Sequence, residues 1–287
     1  MTGPAALVVA APRSDTSAPA AELEGRLGGR VDVTMLGGFD IRVSGRAVAS
    51  RHWSRRHSSA LVKLLALSPG RTLHREVVID TLWPDSTVAE AAPHLHKAAH
   101  YARKALGHRD AVVLSAAAVS LCPNDDVHVD MVQFRQLAES AVRDGDAASA
   151  RHALAVYAGE LLPRDLYEPW AEPHRLHLKR LYLEMLHLTE DWHLALAADP
   201  ADESAHLALA RRYAERGDRV GALRQLDQLD TVVREELGLE PSQRALDLRR
   251  HVVQASSRRV SSIAEMSTLG GEAPPSTEAG PPQGCCP

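Results

Sequence analysis

Hydrophobic and polar residues alternate with a period of two in residues 31–36 and again in residues 39–43, and a glycine-containing turn follows each run. This alternation predicts a small antiparallel sheet. The period then changes, because leucine and alanine recur at helical spacing over residues 55–67 until Pro69-Gly70 interrupts the pattern. The chain therefore turns from short strands to a first helix within about forty residues.

Two more helices and a hairpin follow. A second helix is predicted from about His74 to Leu82, and a third ends at Leu106-Gly107. Beyond it, residues 112–114 and 119–121 are short apolar runs on either side of three alanines, as in a closing hairpin. A sheet, three helices and a hairpin in this order predict a winged helix, a helix-turn-helix variant that lays its third helix in the DNA major groove.

The start of the third helix has two possible positions. Thr87 and Glu90 have the spacing of a capping box, which would begin the helix near Thr87. Pro93 would then lie beyond the first turn and should kink the helix. If the helix instead begins at Ala92, Pro93 takes the favoured first helical position. We favour the start at Ala92.

One face of the third helix carries groups that can contact DNA. At about 100° per residue, Leu95, Ala99, Ala102 and Leu106 share the inward side. The opposite side consists of Lys97, His100, Tyr101 and Lys104. Such side chains can contact phosphates and base edges. Neighbouring elements supply further candidates for the DNA backbone, which are Arg51, Arg55, Arg56, Arg71 and Arg75.

The second half of the chain is helical and repeats itself. Gly145-Asp146 and Gly217-Asp218 are 72 residues apart and are flanked by the same pattern of small and large apolar residues. This spacing is typical of tetratricopeptide repeats, whose paired helices pack closely through small residues. The predicted small positions are Ala138, Ala150, Ala210 and Ala222, and the apolar face of a middle unit is assigned to Leu176, Leu178, Leu181, Leu183, Leu186 and Trp192.

Composition and charge support this division. Only 4% of the 287 residues are aromatic, as expected for helix pairs that pack through alanine and leucine. The net charge of −4 combines +5 over residues 31–121 with −9 over residues 122–287. A basic half joined to an acidic half suggests a module that binds a polyanion. We predict a disordered leader at 1–30, a winged helix at 31–121, a helical repeat domain at 122–255 and a disordered tail at 256–287 that contains Cys285 and Cys286. The fold class is thus mostly α with a small antiparallel β component.

Several runs resemble the actinobacterial antibiotic-regulatory-type transcriptional activators, in which an OmpR-like winged helix precedes a bacterial transcriptional activator domain of tetratricopeptide type. The resemblance covers residues 31–254. The runs that carry it are 36–39 (LGGF), 64–71 (LLALSPGR), 82–85 (LWPD), 95–97 (LHK), 103–107 (RKALG), 129–130 (VD), 159–163 (GELLP) and 235–242 (EELGLEPS). The resemblance implies a cytoplasmic homodimer that binds tandem repeats in double-stranded promoter DNA and contacts RNA polymerase to activate transcription.

The chain departs from this family at two places. Pro93-His94 stands where many relatives have Asn-Asn, and the wing sequence at 115–118 contains no Lys or Arg. Phosphate contacts dominate the affinity of proteins for DNA. We therefore predict weaker and more salt-sensitive DNA binding than in a typical member.

Other classes of function fit less well. The sequence contains no phosphate-binding loop, no nucleophile elbow and no His-Glu-x-x-His motif, so no enzyme activity and no cofactor are predicted. His96 and His100 share a helix face, but without an acidic or Cys partner at useful spacing no metal site is predicted. No apolar run approaches the roughly 20 residues that span a bilayer, so no membrane association is expected. The alternative is an interaction scaffold of repeats with a degenerate winged helix.

Overall fold

The computed structural model describes residues 29–53 and 55–254. The predictions of a disordered leader and tail, and any role of Cys285 and Cys286, thus lie almost entirely outside the described residues. The chain divides into two compact units, Met1–Thr189 and Glu190–Pro287. Among the described residues, no helix has both the length and the apolar character that crossing a bilayer requires.

The first unit opens with a four-stranded sheet. Its strands are β1 (Val31–Thr34), β2 (Asp40–Val43), β3 (Arg46–Ala47) and β7 (Val127–Val129), in the order β3-β2-β1-β7. β1 pairs with β2 in antiparallel register, as predicted, but β7 joins the other edge of β1 in parallel. Three residues of alternation are too few for a sequence pattern to identify β7.

Three helices and a second sheet complete the winged helix. The helices are α1 (Arg56–Leu67), α2 (Arg75–Leu82) and α3 (Val88–Leu106), and a 3-10 turn at Ser50–Trp53 precedes them. The second sheet contains β4 (Thr72–His74), β5 (Val112–Leu114) and β6 (Ala118–Leu121), in the order β4-β6-β5. The predicted hairpin β5–β6 is the wing. Apart from the short strand β4, which was not predicted, the order of elements is the predicted one.

Our favoured start for the third helix was wrong. α3 begins at Val88, and Thr87 is its N-cap in a capping box with Glu90. The Glu90 carboxylate accepts a hydrogen bond from the Thr87 backbone N–H at 2.9 Å, and the Thr87 hydroxyl accepts one from the Glu90 N–H at 3.4 Å. Pro93 lies inside the helix and has no N–H to donate. The capping box fixes the start of α3 at Val88 although Pro93 removes one hydrogen bond from the helix.

Three helices of the repeat region belong to the first unit. They are α4 (Asp130–Asp144), α5 (Ala147–Val156) and α6 (Glu172–Leu188). One continuous hydrophobic core runs from Val31 in β1 to Met185 in α6. The Leu162 N–H also donates to the Met35 carbonyl at 2.9 Å, and the Gly37 N–H donates to the Glu160 carbonyl at 2.8 Å. The predicted junction between residues 121 and 122 therefore lies inside a single compact unit.

The second unit consists of helices. They are α7 (Trp192–Ala198), α8 (Glu203–Glu215), α9 (Arg219–Leu237) and α10, which is described over residues 243–254. α8 and α9 pack as a pair, as α4 and α5 do in the first unit. Leu226, Leu229 and Val233 of α9 are buried against Leu207 and Ala210 of α8.

The repeated glycine and aspartate have the same role in both helix pairs. Gly145 and Gly217 adopt positive φ angles of 62° and 80°, which glycine tolerates and most residues do not. Asp146 and Asp218 then cap the following helices by accepting hydrogen bonds from backbone N–H groups. The four predicted small positions (Ala138, Ala150, Ala210 and Ala222) are completely buried. The repeat pattern is confirmed.

One residue assigned to the apolar face of the middle unit does not belong to it. Leu178, Leu181 and Leu186 are buried, but Leu176 is 60% exposed. Leu176 is two positions before Leu178, which is about 200° around the helix, and so it faces away from the core. The buried residue that completes this face is Met185.

Candidate nucleic-acid interface

The third helix presents the face predicted from its sequence. Leu95, Ala99, Ala102 and Leu106 are buried in the core. Lys97, His100 and Lys104 are exposed, and Tyr101 is partly exposed beside them. Gly107, the C-cap of α3, has a φ of 77° and ends the helix. The exposed side of α3 therefore combines two cations, an imidazole and a phenol within about two turns of one helix.

Arg55 joins this face from another element. Its guanidinium carbon lies 4.6 Å from the centre of the Tyr101 ring, which is a cation–π contact. Arg55 is the N-cap of α1, in an extended conformation, so the chain turns there and projects the side chain towards α3. This contact holds the Arg55 guanidinium beside α3. The sequence pattern predicted only that Arg55 lies on a neighbouring element.

Two cavities, of about 350 and 360 Å³, lie on either side of this Arg55–Tyr101 contact. We call the concave surface that they form between the start of α1 and α3 the α1–α3 cleft. The first cavity is lined by Arg55, Arg56, His57, Trp83, His94 and Lys97 among others, and the second by Arg51, His52, Arg55, Tyr101 and Lys104. Cations and imidazoles therefore dominate the polar lining, which suits a polyanion.

A stack of rings forms one side of the cleft. The His57 ring is stacked on Trp83 with centroids 5.1 Å apart, and Trp83 is followed by His94 at 6.3 Å. Burial lowers the pKa of His57, and the charges of Arg56 and His94 lower it further. His57 and His94 were missed as site residues, because helical periodicity says nothing about contacts between α1, α3 and the Trp83 that ends α2.

The remaining predicted arginines have structural partners. Arg56 lines the cleft, but its guanidinium forms an ion pair with Glu168 at 2.7 Å. Arg71 has a positive φ of 57° and donates hydrogen bonds to the carbonyls of Leu121 and Cys122, at 3.3 and 3.4 Å. Arg71 thus fixes the end of strand β6 at the base of the wing.

Arg75 also lies at the wing rather than in the cleft. Its backbone N–H donates to the Ala117 carbonyl at 2.8 Å, and its side chain is half-buried. The wing turn itself is tight, since the Ser115 hydroxyl accepts a hydrogen bond from the Ala118 N–H at 2.9 Å. Ala116 and Ala117 at the tip are exposed. The tip of the wing, residues 115–118, therefore contains no cation.

No group of three or more His, Cys, Asp or Glu residues that could hold a metal ion occurs within residues 29–53 and 55–254. The chemistry of the cleft is that of positive charge, stacking and hydrogen-bond donation. Lys97, Lys104, Arg51 and Arg55 form no ion pair with a carboxylate among the residues that the structure describes. These four cations are therefore available to an anionic partner.

The helical region matches a known protein family. Residues 129–253 match the bacterial transcriptional activator domain. The match covers less than half of the 287 residues, and we call the matched region the activator domain. This match, with a winged helix in front of the matched region, supports the resemblance of the sequence to antibiotic-regulatory-type transcriptional regulators. The matched family is regulatory.

One solved structure supports the same fold across both parts of the chain. Mycobacterium tuberculosis EmbR, in a complex with a low affinity phosphopeptide, is similar to this chain with a TM-score of 0.60 and 17% sequence identity. The similarity covers 84% of this chain and 71% of that one. It shows a shared fold that includes the winged helix as well as the activator domain. No curated protein sequence matches the chain.

Proposed function

We propose that this transcriptional regulator binds double-stranded promoter DNA by inserting α3 into the major groove. The observation that supports this most is the joint presentation of Lys97, His100, Tyr101 and Lys104 on the exposed face of α3, with Arg55 held against Tyr101. Lys97 and His100 can reach base edges, and Arg51 and Arg55 in the α1–α3 cleft can contact phosphates.

The uncharged wing determines how strongly the protein binds. In a winged helix the wing usually adds contacts to the backbone or the minor groove, but Ala116 and Ala117 bring no charge. Affinity must then come mainly from the four available cations in the cleft. If each neutralises one phosphate, the logarithm of the binding constant should fall with the logarithm of the salt concentration with a slope of about −3.6.

The activator domain supplies the remaining steps of the proposal. Its acidic helical pairs, which follow the basic winged helix, form the surface through which two copies associate and RNA polymerase is contacted. Transcriptional regulation of this kind takes place in the cytoplasm. The match to the activator domain supports this role, and the resemblance to activators favours activation over repression.

A charge reversal on α3 tests the proposal. The Lys97→Glu, Lys104→Glu double variant should lose retardation of a duplex from the protein's own promoter region at low salt, with an unchanged circular dichroism spectrum. The matched control reverses Arg151 and Lys179, which are exposed cations on α5 and α6, and should bind as the wild type does. Equal binding by the α3 variant and the wild type would contradict the proposal.

The uncharged wing also favours a second candidate. In that case the winged helix no longer binds DNA, and the activator domain acts as an interaction scaffold. The same experiment separates the two functions. The scaffold requires that wild-type protein fails to retard the duplex even at the lowest salt and that partner binding is insensitive to the α3 double variant.

A further inference from the structure

One arginine of the α1–α3 cleft is occupied by a carboxylate from the activator domain. An Arg56 guanidinium nitrogen lies 2.7 Å from Glu168 Oε1, across 112 positions of sequence. The Arg56 side chain is 80% exposed, whereas that of Glu168 is only 20% exposed. The Glu168 carboxylate is thus largely enclosed by the protein, whereas the Arg56 side chain lies mostly in solvent.

Glu168 is fixed by contacts that do not involve Arg56. The Trp170 indole N–H donates to its other carboxylate oxygen at 3.0 Å. Asp165, three positions before Glu168, binds the Lys63 ammonium through both carboxylate oxygens, at 2.7 and 2.8 Å, and its carbonyl accepts a hydrogen bond from Arg175 at 3.2 Å. We call residues 165–168 the acidic loop. It is anchored to the winged helix at both of its ends.

The two ion pairs that anchor the acidic loop, Lys63–Asp165 and Arg56–Glu168, differ in the exposure of their cations. Lys63 is buried and is held by both carboxylate oxygens of Asp165. Arg56 lines the same cavity as Arg55 and Lys97, where a phosphate would lie next to them. The Glu168 hydrogen bond raises the pKa of Arg56; burial works to raise the pKa of Glu168, but the hydrogen bonds from Arg56 and Trp170 lower it overall. Both groups are therefore charged at neutral pH.

We propose that Glu168 competes with the DNA backbone for Arg56 and so restrains the affinity of the winged helix for DNA. This inference rests on the proposed function, since it concerns the same cleft. A phosphate can gain Arg56 only when the guanidinium leaves Glu168. The acidic loop thereby makes DNA affinity depend on the activator domain, because Glu168 belongs to that domain.

The test measures DNA affinity and its salt dependence for Glu168→Gln in the full chain. The neutral amide can still accept the Trp170 hydrogen bond, but it releases Arg56. One added phosphate contact should make the salt slope about 0.9 steeper and raise affinity about threefold or more at low salt. Glu184→Gln, which removes a carboxylate that is paired with Arg180 within α6, is the matched control and should change neither quantity.

Variants of Arg56 show whether any gain depends on this arginine. Arg56→Gln alone leaves the Glu168 carboxylate without its cation beside the phosphate position, so this variant should bind DNA no more tightly than wild type. The Arg56→Gln, Glu168→Gln double variant should lose most of the gain of Glu168→Gln. Tighter binding by Arg56→Gln than by wild type would overturn the proposal even if Glu168→Gln failed to fold. So would a gain that persists in the double variant, or one that Glu184→Gln reproduces.

The outcomes also separate this inference from the proposed function. If wild type binds DNA and Glu168→Gln matches it in affinity and salt slope, the restraint is wrong and the regulator function stands. If no variant binds at the lowest salt, including Glu168→Gln, both proposals fail together.

Discussion

The Asp130 carboxylate, in the first turn of α4, accepts a hydrogen bond from the Met35 backbone N–H at the end of β1. Its oxygens lie 2.9 and 3.0 Å from this nitrogen, and one of them also accepts from the Leu36 N–H at 3.0 Å. The same carboxylate binds the N–H of Met131. One side chain of the activator domain thus satisfies the backbone of the first strand of the winged helix.

Loss of this carboxylate should therefore destabilise the whole first unit. Asp130→Ala leaves the N–H groups of Met35 and Leu36 without their acceptor in a partly buried place. Unsatisfied buried donors cost about 1–3 kcal/mol each, so we expect a loss of about 2–4 kcal/mol in the free energy of unfolding. Denaturant unfolding followed by circular dichroism measures it. Asp144→Ala, which removes an exposed carboxylate from the other end of α4, should change stability by less than about 1 kcal/mol.

DNA affinity should increase as the pH falls below neutrality. Burial and the neighbouring charges of Arg56 and His94 lower the pKa of His57, so its imidazole is neutral at pH 7 in the free protein. Protonation adds a positive charge in the cleft only as the pH falls below 6.5 towards the lowered value, and bound phosphates favour the charged form. Fluorescence anisotropy at constant salt between pH 8 and pH 5.5 measures the effect.

Replacing His57 measures how much of this pH dependence of DNA affinity comes from its imidazole. His57→Gln should flatten the dependence. His152→Gln, an exposed imidazole on α5, should leave it unchanged. The sign for folding is opposite: because its folded pKa is lowered, His57 stabilises the protein above pH 6.5, and that contribution is lost as the pH falls. An affinity that decreases on acidification, while the protein remains folded, would contradict this prediction.

Adding a cation to the wing should strengthen DNA binding. Ala116 is exposed at the tip of the β5–β6 hairpin, where a lysine fits without displacing a buried group. Ala116→Lys should steepen the salt slope by about 0.9, the value of one additional phosphate contact. Ala155→Lys places the same charge on the exposed side of α5 and is the control. An unchanged slope for Ala116→Lys would mean that the wing does not approach DNA.

Replacement of Pro93 should stabilise the winged helix. Pro93 is exposed inside α3 and leaves the Ala89 carbonyl without its usual donor. Proline costs about 3 kcal/mol relative to alanine in a helix interior, although a structure adapted to proline recovers part of this cost. We expect Pro93→Ala to raise the free energy of unfolding by about 1–3 kcal/mol. Pro84→Ala, outside any helix, should not stabilise, and equal effects of the two variants would refute this account.

Sequence periodicity identified the inward and outward faces of α3 because both belong to one helix. Leu95 and Lys97 differ by about 200° in direction, and no distant residue is needed to distinguish them. The same holds for the capping aspartates Asp146 and Asp218, which act on the turn that follows them. Interactions of this kind involve residues only a few positions apart, so the sequence alone predicts them.

Some contacts of the predicted site residues involve distant segments and could not be predicted from the sequence. Arg56 pairs with Glu168, which is more than a hundred positions away. The guanidinium of Arg71 donates to carbonyls at the end of β6, where its backbone conformation directs it. The start of α3 was misjudged because two local rules conflict at Pro93, and only the formed capping box decides between them.

Strand β7 limits how the winged helix can be exchanged for that of another regulator. It lies on the edge of β1, in parallel, although its residues follow the entire winged helix in sequence. A fragment that ends at residue 121 would leave the groups on this edge of β1 unpaired, and exposed strand edges of this kind recruit other chains. The hydrophobic core that begins at Val31 also continues to Met185 in α6. A chimaera that exchanges the winged helix should therefore carry the residues up to the end of α6 with it.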